Sequence, residues 1–279
     1  MSAWLQPPLV AIVVFAALYV FGARRRRILV GRPQSYELWR AASFTGALAL
    51  AELVLCPPFD RLADESLGLH MLQHVVLMAF VAPLAVLAAP WLTIWRGLPL
   101  ELRRSLARGV LRFPGIVRRG LRGSASPWPA WLLINVDIGI WHVPWLYDLT
   151  LSNAAVHDVE HLSFLVFGIL FWLPVLDSPP LHARLDELRG ALYVTAGAAP
   201  GWILALVLAL AAQPLYPAYA ALPHRWAGLS ALGDQQLAAG VMIGIGSIPY
   251  TLAVFVLLYR WLDERPRLRR ETLGLVRSR

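Results

Sequence analysis

Seven long apolar runs constrain this chain more than any other feature. They cover residues 4–21, 40–55, 70–95, 127–146, 157–176, 190–212 and 235–262. A helix rises ~1.5 Å per residue, so roughly 20 residues cross ~30 Å of hydrocarbon. Each run has about that length; the third and seventh are long enough to tilt or extend past the bilayer. Composition agrees. Of 279 residues, 58% are hydrophobic and 15% charged, and the mean hydropathy is +0.58. Soluble domains average about 45–50% apolar and about 25% charged. The expected fold is all-α, a single membrane domain of seven transmembrane helices over residues 1–279. The charges of the first run follow its apolar core, which is the wrong order for a signal peptide.

Orientation follows from arginine. All 25 basic residues are Arg. Arg24, Arg25, Arg26, Arg27, Arg32 and Arg40 follow the first run. Eight more crowd residues 96–126, the longest loop: Arg96, Arg103, Arg104, Arg108, Arg112, Arg118, Arg119 and Arg122. Arg184 and Arg189 follow the fifth run, and seven lie from Arg260 onward. Alternating the gaps puts 23 on one side and leaves Arg61 and Arg225 on the other. The positive-inside rule then predicts an outer N-terminus and a cytoplasmic C-terminus. The net charge of +8 is thereby a topology signal. Nucleic acid is not an expected partner, because its binding needs a clustered basic face with aromatic platforms. Within the basic loop, residues 100–121 can form one amphipathic helix on an anionic leaflet, or serve only as a charge signal. The lone Cys56 cannot form an internal disulfide.

On this topology the histidines converge. His70 and His74 open the third run from outside, His142 lies near the outer end of the fourth, and His157 and His161 open the fifth. All five fall within about two turns of the outer surface. Asp234, at the outer start of the seventh run, shares that depth. Residues four apart share a helix face, so each HxxxH pair can point both imidazoles at one ion. Met78 is four beyond His74, about 12 Å below His70 at helical rise, and with Met71 offers a soft thioether. Imidazole suits Zn, Cu, Fe and Ni, and thioether biases toward Cu(I). Asp158 and Glu160 flank the second pair and can orient imidazole N–H groups. Ionisable groups at membrane depth are costly and usually functional. His182 falls on the cytoplasmic side, and His224 lies on an outer loop. Asp137 and Glu52 receive no role. Trp91, Trp95, Trp141 and Trp145 fit an aromatic belt.

The motifs HMLQH at 70–74, AAP at 88–90, WHVPWLYD at 141–148, HDVEHLSFLVFGILFWLPV at 157–175 and DQQLAAGVM at 234–242 resemble those of a known family. It is the caa3-type cytochrome c oxidase assembly factors, the seven-span CtaG group. The resemblance covers about residues 68–262. It implies a multi-pass protein of the bacterial inner membrane, without enzymatic activity, that handles copper at its outer face. His70, His74, His142, His157 and His161, with Asp234, carry over as motif residues. Oxidase subunits, and with them periplasmic copper chaperones, are the implied partners. The single-span copper chaperone sharing the CtaG name uses cysteine ligands, and this chain has no CxC motif.

Two other readings stand beside this one. A seven-span zinc hydrolase uses three histidines and zinc-bound water, and Ser163 is near the second pair. A b-type haem protein uses two axial histidines on facing helices. Spacing alone leaves copper, zinc and haem open.

Overall fold

The computed structural model describes residues 7–30 and 35–272. Residues 4–6 of the first apolar run, and Arg32, Arg277 and Arg279, lie outside the described residues. Among those described, the protein is built from helices and contains no strand.

In chain order the helices are α1 (Pro7–Val30), α2 (Ser35–Leu55), the short α3 (Phe59–Asp64) and α4 (Leu67–Val75). A π-helical turn (Val76–Val81) carries α4 directly into α5 (Ala82–Ala88). Then follow α6 (Trp91–Gly97), α7 (Leu100–Arg112), α8 (Gly115–Ser124), α9 (Pro127–Trp141), α10 (Pro144–Ser152) and α11 (Ala154–Trp172). The chain closes with α12 (Glu187–Leu210), α13 (Pro217–Ala220) and α14 (Ala231–Thr272). Among the described residues, six stretches are long and apolar enough to cross a membrane: Pro7–Arg27, Leu38–Leu55, Leu67–Ala88, Ala154–Trp172, Glu187–Leu210 and Ala231–Asp263. The fourth run behaves differently. Its helix α9 stops after 15 residues, about 22 Å at helical rise. Pro144 forces the stop, because proline has no N–H to donate and biases the residue before it to extended backbone. Val143 is extended accordingly, and α10 restarts with Pro144 in its first turn.

Two other expectations are corrected. The third run does not continue as one helix to residue 95. Ala89 adopts a left-handed conformation (φ 46°) and Pro90 follows, so α6 is a separate helix packed on α1. That packing is close: a Cβ at Gly22 would overlap the carbonyl of Thr93, and one at Gly97 that of Leu18. The amphipathic segment is two helices, α7 and α8, divided at Phe113 and Pro114. Neither end of the divide is covered; α7 buries no residue, and Leu102, Leu106, Val110 and Ile116 are all exposed.

In the bundle, α14 lies between α12 and α4, and α11 packs against α9, α5 and the π-helical turn. Gly168 permits the last contact. A Cβ there would stand 3.2 Å from Met78 Cα and 3.0 Å from Ala82 Cβ. Met78, Phe164, Phe171, Trp172 and Val194 fill the core below that crossing. Large apolar side chains such as Phe15, Leu53, Leu192, Leu210, Leu252 and Phe255 stay exposed. An apolar exterior on this scale is the surface a helical bundle presents to lipid.

Candidate metal centre

The N-terminus of α4 is fixed by a residue far along the chain. Ser66 caps the helix, its Oγ accepting from Leu69 N at 3.3 Å. Asp234 Oδ2 accepts from Leu67 N at 2.8 Å, and Oδ1 accepts from Gly68 N at 3.0 Å and Ser66 Oγ at 2.6 Å. These are unsatisfied helix-end donors of the kind a carboxylate relieves. Asn153 caps α11 in the same way, accepting from Ala155 N and Val156 N. The two anchored helix starts bring the two histidine pairs side by side.

His70 and His74 leave α4, and His157, Glu160 and His161 leave α11. Ring centroids lie 4.5 Å apart for His70 and His74, 5.0 Å for His70 and His157, 5.2 Å for His74 and His161, and 4.2 Å for His157 and His161. Glu160 sits between the pairs with no solvent exposure. Its Oε2 is 3.6 Å from His70 Nε2 and its Oε1 is 3.6 Å from His74 Nε2. Ligand atoms of His70, His157 and His161 all lie within 4.8 Å of one another, as do those of His70, His74 and Glu160.

These donors have no hydrogen-bond partners. His70 Nε2, both ring nitrogens of His74, His157 Nε2, His161 Nε2 and both Glu160 oxygens are buried and unpaired. Buried polar groups are nearly always satisfied, and each exception asks for an explanation such as an ion. The tautomer of His70 sharpens the point. Tyr219 Oη donates its one proton to Ala63 O at 2.9 Å, and lies 2.8 Å from His70 Nδ1. It can therefore only accept from His70, so a neutral His70 carries its proton on Nδ1. Its Nε2 lone pair then faces a carboxylate oxygen, and a cation between them removes the repulsion. Two donors on one ion at ~2.0–2.2 Å in tetrahedral geometry stand about 3.4 Å apart. The two 3.6 Å separations match that edge. The residues present fit a metal ion.

The remaining predicted residues divide. His142 is buried beside the cluster; its Nδ1 donates to Ile138 O at 2.7 Å, leaving Nε2 unpaired. It is not in either group of converging ligands. Asp234 is not in either group; its oxygens serve the α4 terminus, as described above. Met78 packs in the apolar core with Ala82, Phe164 and Trp172. Met71 packs with Leu67, Tyr147 and Tyr219. Asp158 is exposed on the outer side of α11. Glu160, expected to orient imidazoles from behind, instead stands among them. Trp141 is buried in the bundle; its Nε1 donates toward Asp137 Oδ1 and Ser163 Oγ. Ser163 donates toward Asp137 Oδ2, which gives Asp137 its partners. His182 and His224 are exposed away from the cluster.

Tyr219 was not anticipated from sequence. Its loop is tied down by Arg225, which donates to Tyr219 O at 2.9 and 3.1 Å, and by Trp226 N donating to Glu65 O. Outside the spans, burial raises the Asp60 carboxyl above its usual range, partly offset by the hydrogen bond from Gln73. Burial likewise lifts the Tyr219 phenol well above its usual value, which keeps its proton in place.

Residues 17–264 match the family described as cytochrome c oxidase caa3 assembly factor (Caa3_CtaG). The chain belongs to that family. No curated protein and no solved structure matches it. The family match runs from α1 into α14 and contains every residue of the cluster.

Proposed function

We propose that this family member binds a copper ion among His70, His74, His157, His161 and Glu160 and passes it to a subunit of cytochrome c oxidase. The role is non-catalytic, with the metal as cargo. One observation carries the binding half: five buried or half-buried side chains bring ligand atoms without hydrogen-bond partners into two groups that share His70. Membership of a family of cytochrome c oxidase caa3 assembly factors supports the oxidase half. The choice of copper rests on the resemblance of the histidine motifs.

The rest of the reading follows from charge and length. Helix α9 is the seventh span, its 15 residues extended across the outer interface by α10. With seven spans, the 23-to-2 arginine division puts the cluster on the extracytoplasmic face of a bacterial inner membrane. Oxidase subunits and periplasmic copper chaperones meet it there. Donor atoms within 4.8 Å of one another suit a bare ion better than haem, which needs a macrocycle between its axial imidazoles.

Loading the purified protein with copper and measuring metal per chain tests this reading. The expected result is stoichiometric copper in the parent and its loss in His70→Ala and His161→Ala. Unchanged affinity in both variants overturns it.

A further inference from the structure

We infer that Glu160 is a direct ligand and makes this a site for a divalent cation, so that copper is held here as Cu(II) and not Cu(I). The inference rests on the copper reading above and adds the oxidation state.

The first ground is a contrast among three buried carboxylates. Asp234 accepts three hydrogen bonds. Asp137 is met by Trp141 and Ser163. Glu160 is the most deeply buried of the three and accepts none. A carboxylate in a low-dielectric interior needs hydrogen bonds or a countercharge. Glu160 is surrounded instead by imidazoles, each of its oxygens 3.6 Å from one Nε2. That is an arrangement for sharing a cation.

The second ground is the chemistry of the donor set. The two converging groups share His70 and together offer four imidazole nitrogens and a carboxylate oxygen. No cysteine belongs to either converging group among the described residues. Met78 and Met71 pack in separate apolar clusters, and Cys56 is buried directly after the end of α2. Thioether and thiolate select Cu(I), imidazole accepts either state, and carboxylate favours harder ions. Coulomb attraction to the one carboxylate also doubles from a +1 to a +2 ion at the same distance. With four neutral imidazoles, Glu160 is the only anionic ligand, so the difference between the two states falls on it.

The third ground is register. Glu160 is three residues after His157 and one before His161, so all three project from one side of α11 toward α4. A residue placed merely to orient imidazoles would meet their outward-facing nitrogens. For His70 that position is already taken by Tyr219. Glu160 lies on the opposite edge of the ring, at the coordinating nitrogen.

The test is a pair of competition titrations on the purified full-length protein, with Cu(II) in air and with Cu(I) under anaerobic reduction. Glu160→Gln keeps the shape and removes the charge; Glu160→Asp keeps the charge. Parent protein binds Cu(II) more tightly than Cu(I). Glu160→Gln loses at least about tenfold in Cu(II) affinity, Glu160→Asp recovers part of it, and Cu(I) binding changes little. The electron paramagnetic resonance of bound Cu(II) shifts in Glu160→Gln, because an oxygen ligand has been altered. Parent protein that prefers Cu(I), or Glu160→Gln with parental Cu(II) affinity and spectrum, overturns the inference. If Cu(I) binds and is lost in His161→Ala but not in Glu160→Gln, the copper reading stands and this one falls. If neither state binds, both fall.

Discussion

The phenol of Tyr219 has a single proton, and the carbonyl of Ala63 takes it. Its oxygen can then only accept from His70, which fixes that ring with Nε2 free for a metal. Removing such an outer partner typically costs 10–100-fold in metal affinity. Tyr219→Phe is therefore expected to weaken copper binding by about that factor, read by chelator competition, while the far-ultraviolet helix signal stays unchanged. Asp234 predicts the opposite pattern. Asp234→Ala strands three donors at the start of α4, a loss of about 1–3 kcal/mol for each group left buried and unpaired. The expected result is a lowered melting temperature in detergent with copper stoichiometry retained at low temperature. An emptied site at parental stability would make Asp234 a ligand after all. Sequence could not separate these roles, since Asp234 and the histidines share one depth, and depth does not distinguish a cap from a ligand. Glu160 was more accessible to reasoning: the spacing of His157, Glu160 and His161 already puts them on one side of a helix. Tyr219 carried no such signal, because it reaches His70 across 149 residues from the single turn of α13.

Among the elements, the crossing of α11 over the π-helical turn decides whether the two histidine pairs meet. Gly168 sets its closeness, with Met78 Cα directly beneath. Gly168→Val is expected to cost about 1–3 kcal/mol by overpacking and to weaken copper binding as α11 moves off α4. Thermal unfolding and metal titration of the same variant check both effects. A variant with parental stability and affinity would show that the crossing is looser than this packing implies. Hydropathy revealed where most helices lie because a span must be apolar over its full length. It could not reveal breaks inside apolar runs. Ala89 and Pro90 end α5, and Pro144 ends α9, in stretches that remain apolar throughout. Helix breaks depend on backbone conformation, and hydropathy averages over it.

At the scale of the whole molecule, span number and sidedness are one question. If α9 crosses the membrane with the six longer spans, the described N- and C-terminal helix ends face opposite compartments. If it does not, they face the same one. Reporter fusions at both ends are expected to show an outer N-terminus and a cytoplasmic C-terminus. Two ends in one compartment would contradict the seven-span reading and move part of the arginine count to the other side. The histidine cluster is tied to this, because α4 and α11 run in parallel with their first turns in ring contact, so the chain has to return across the bundle between them, along α9. What sidedness decides is which compartment supplies and receives the ion.

Copper-edge X-ray absorption on the loaded protein tests the central claim most directly. The account predicts a first shell of nitrogen and oxygen with the multiple-scattering pattern of several imidazoles, lost together with the metal in His70→Ala and His161→Ala. A sulfur shell, or copper retained with an unchanged spectrum in both variants, would contradict it.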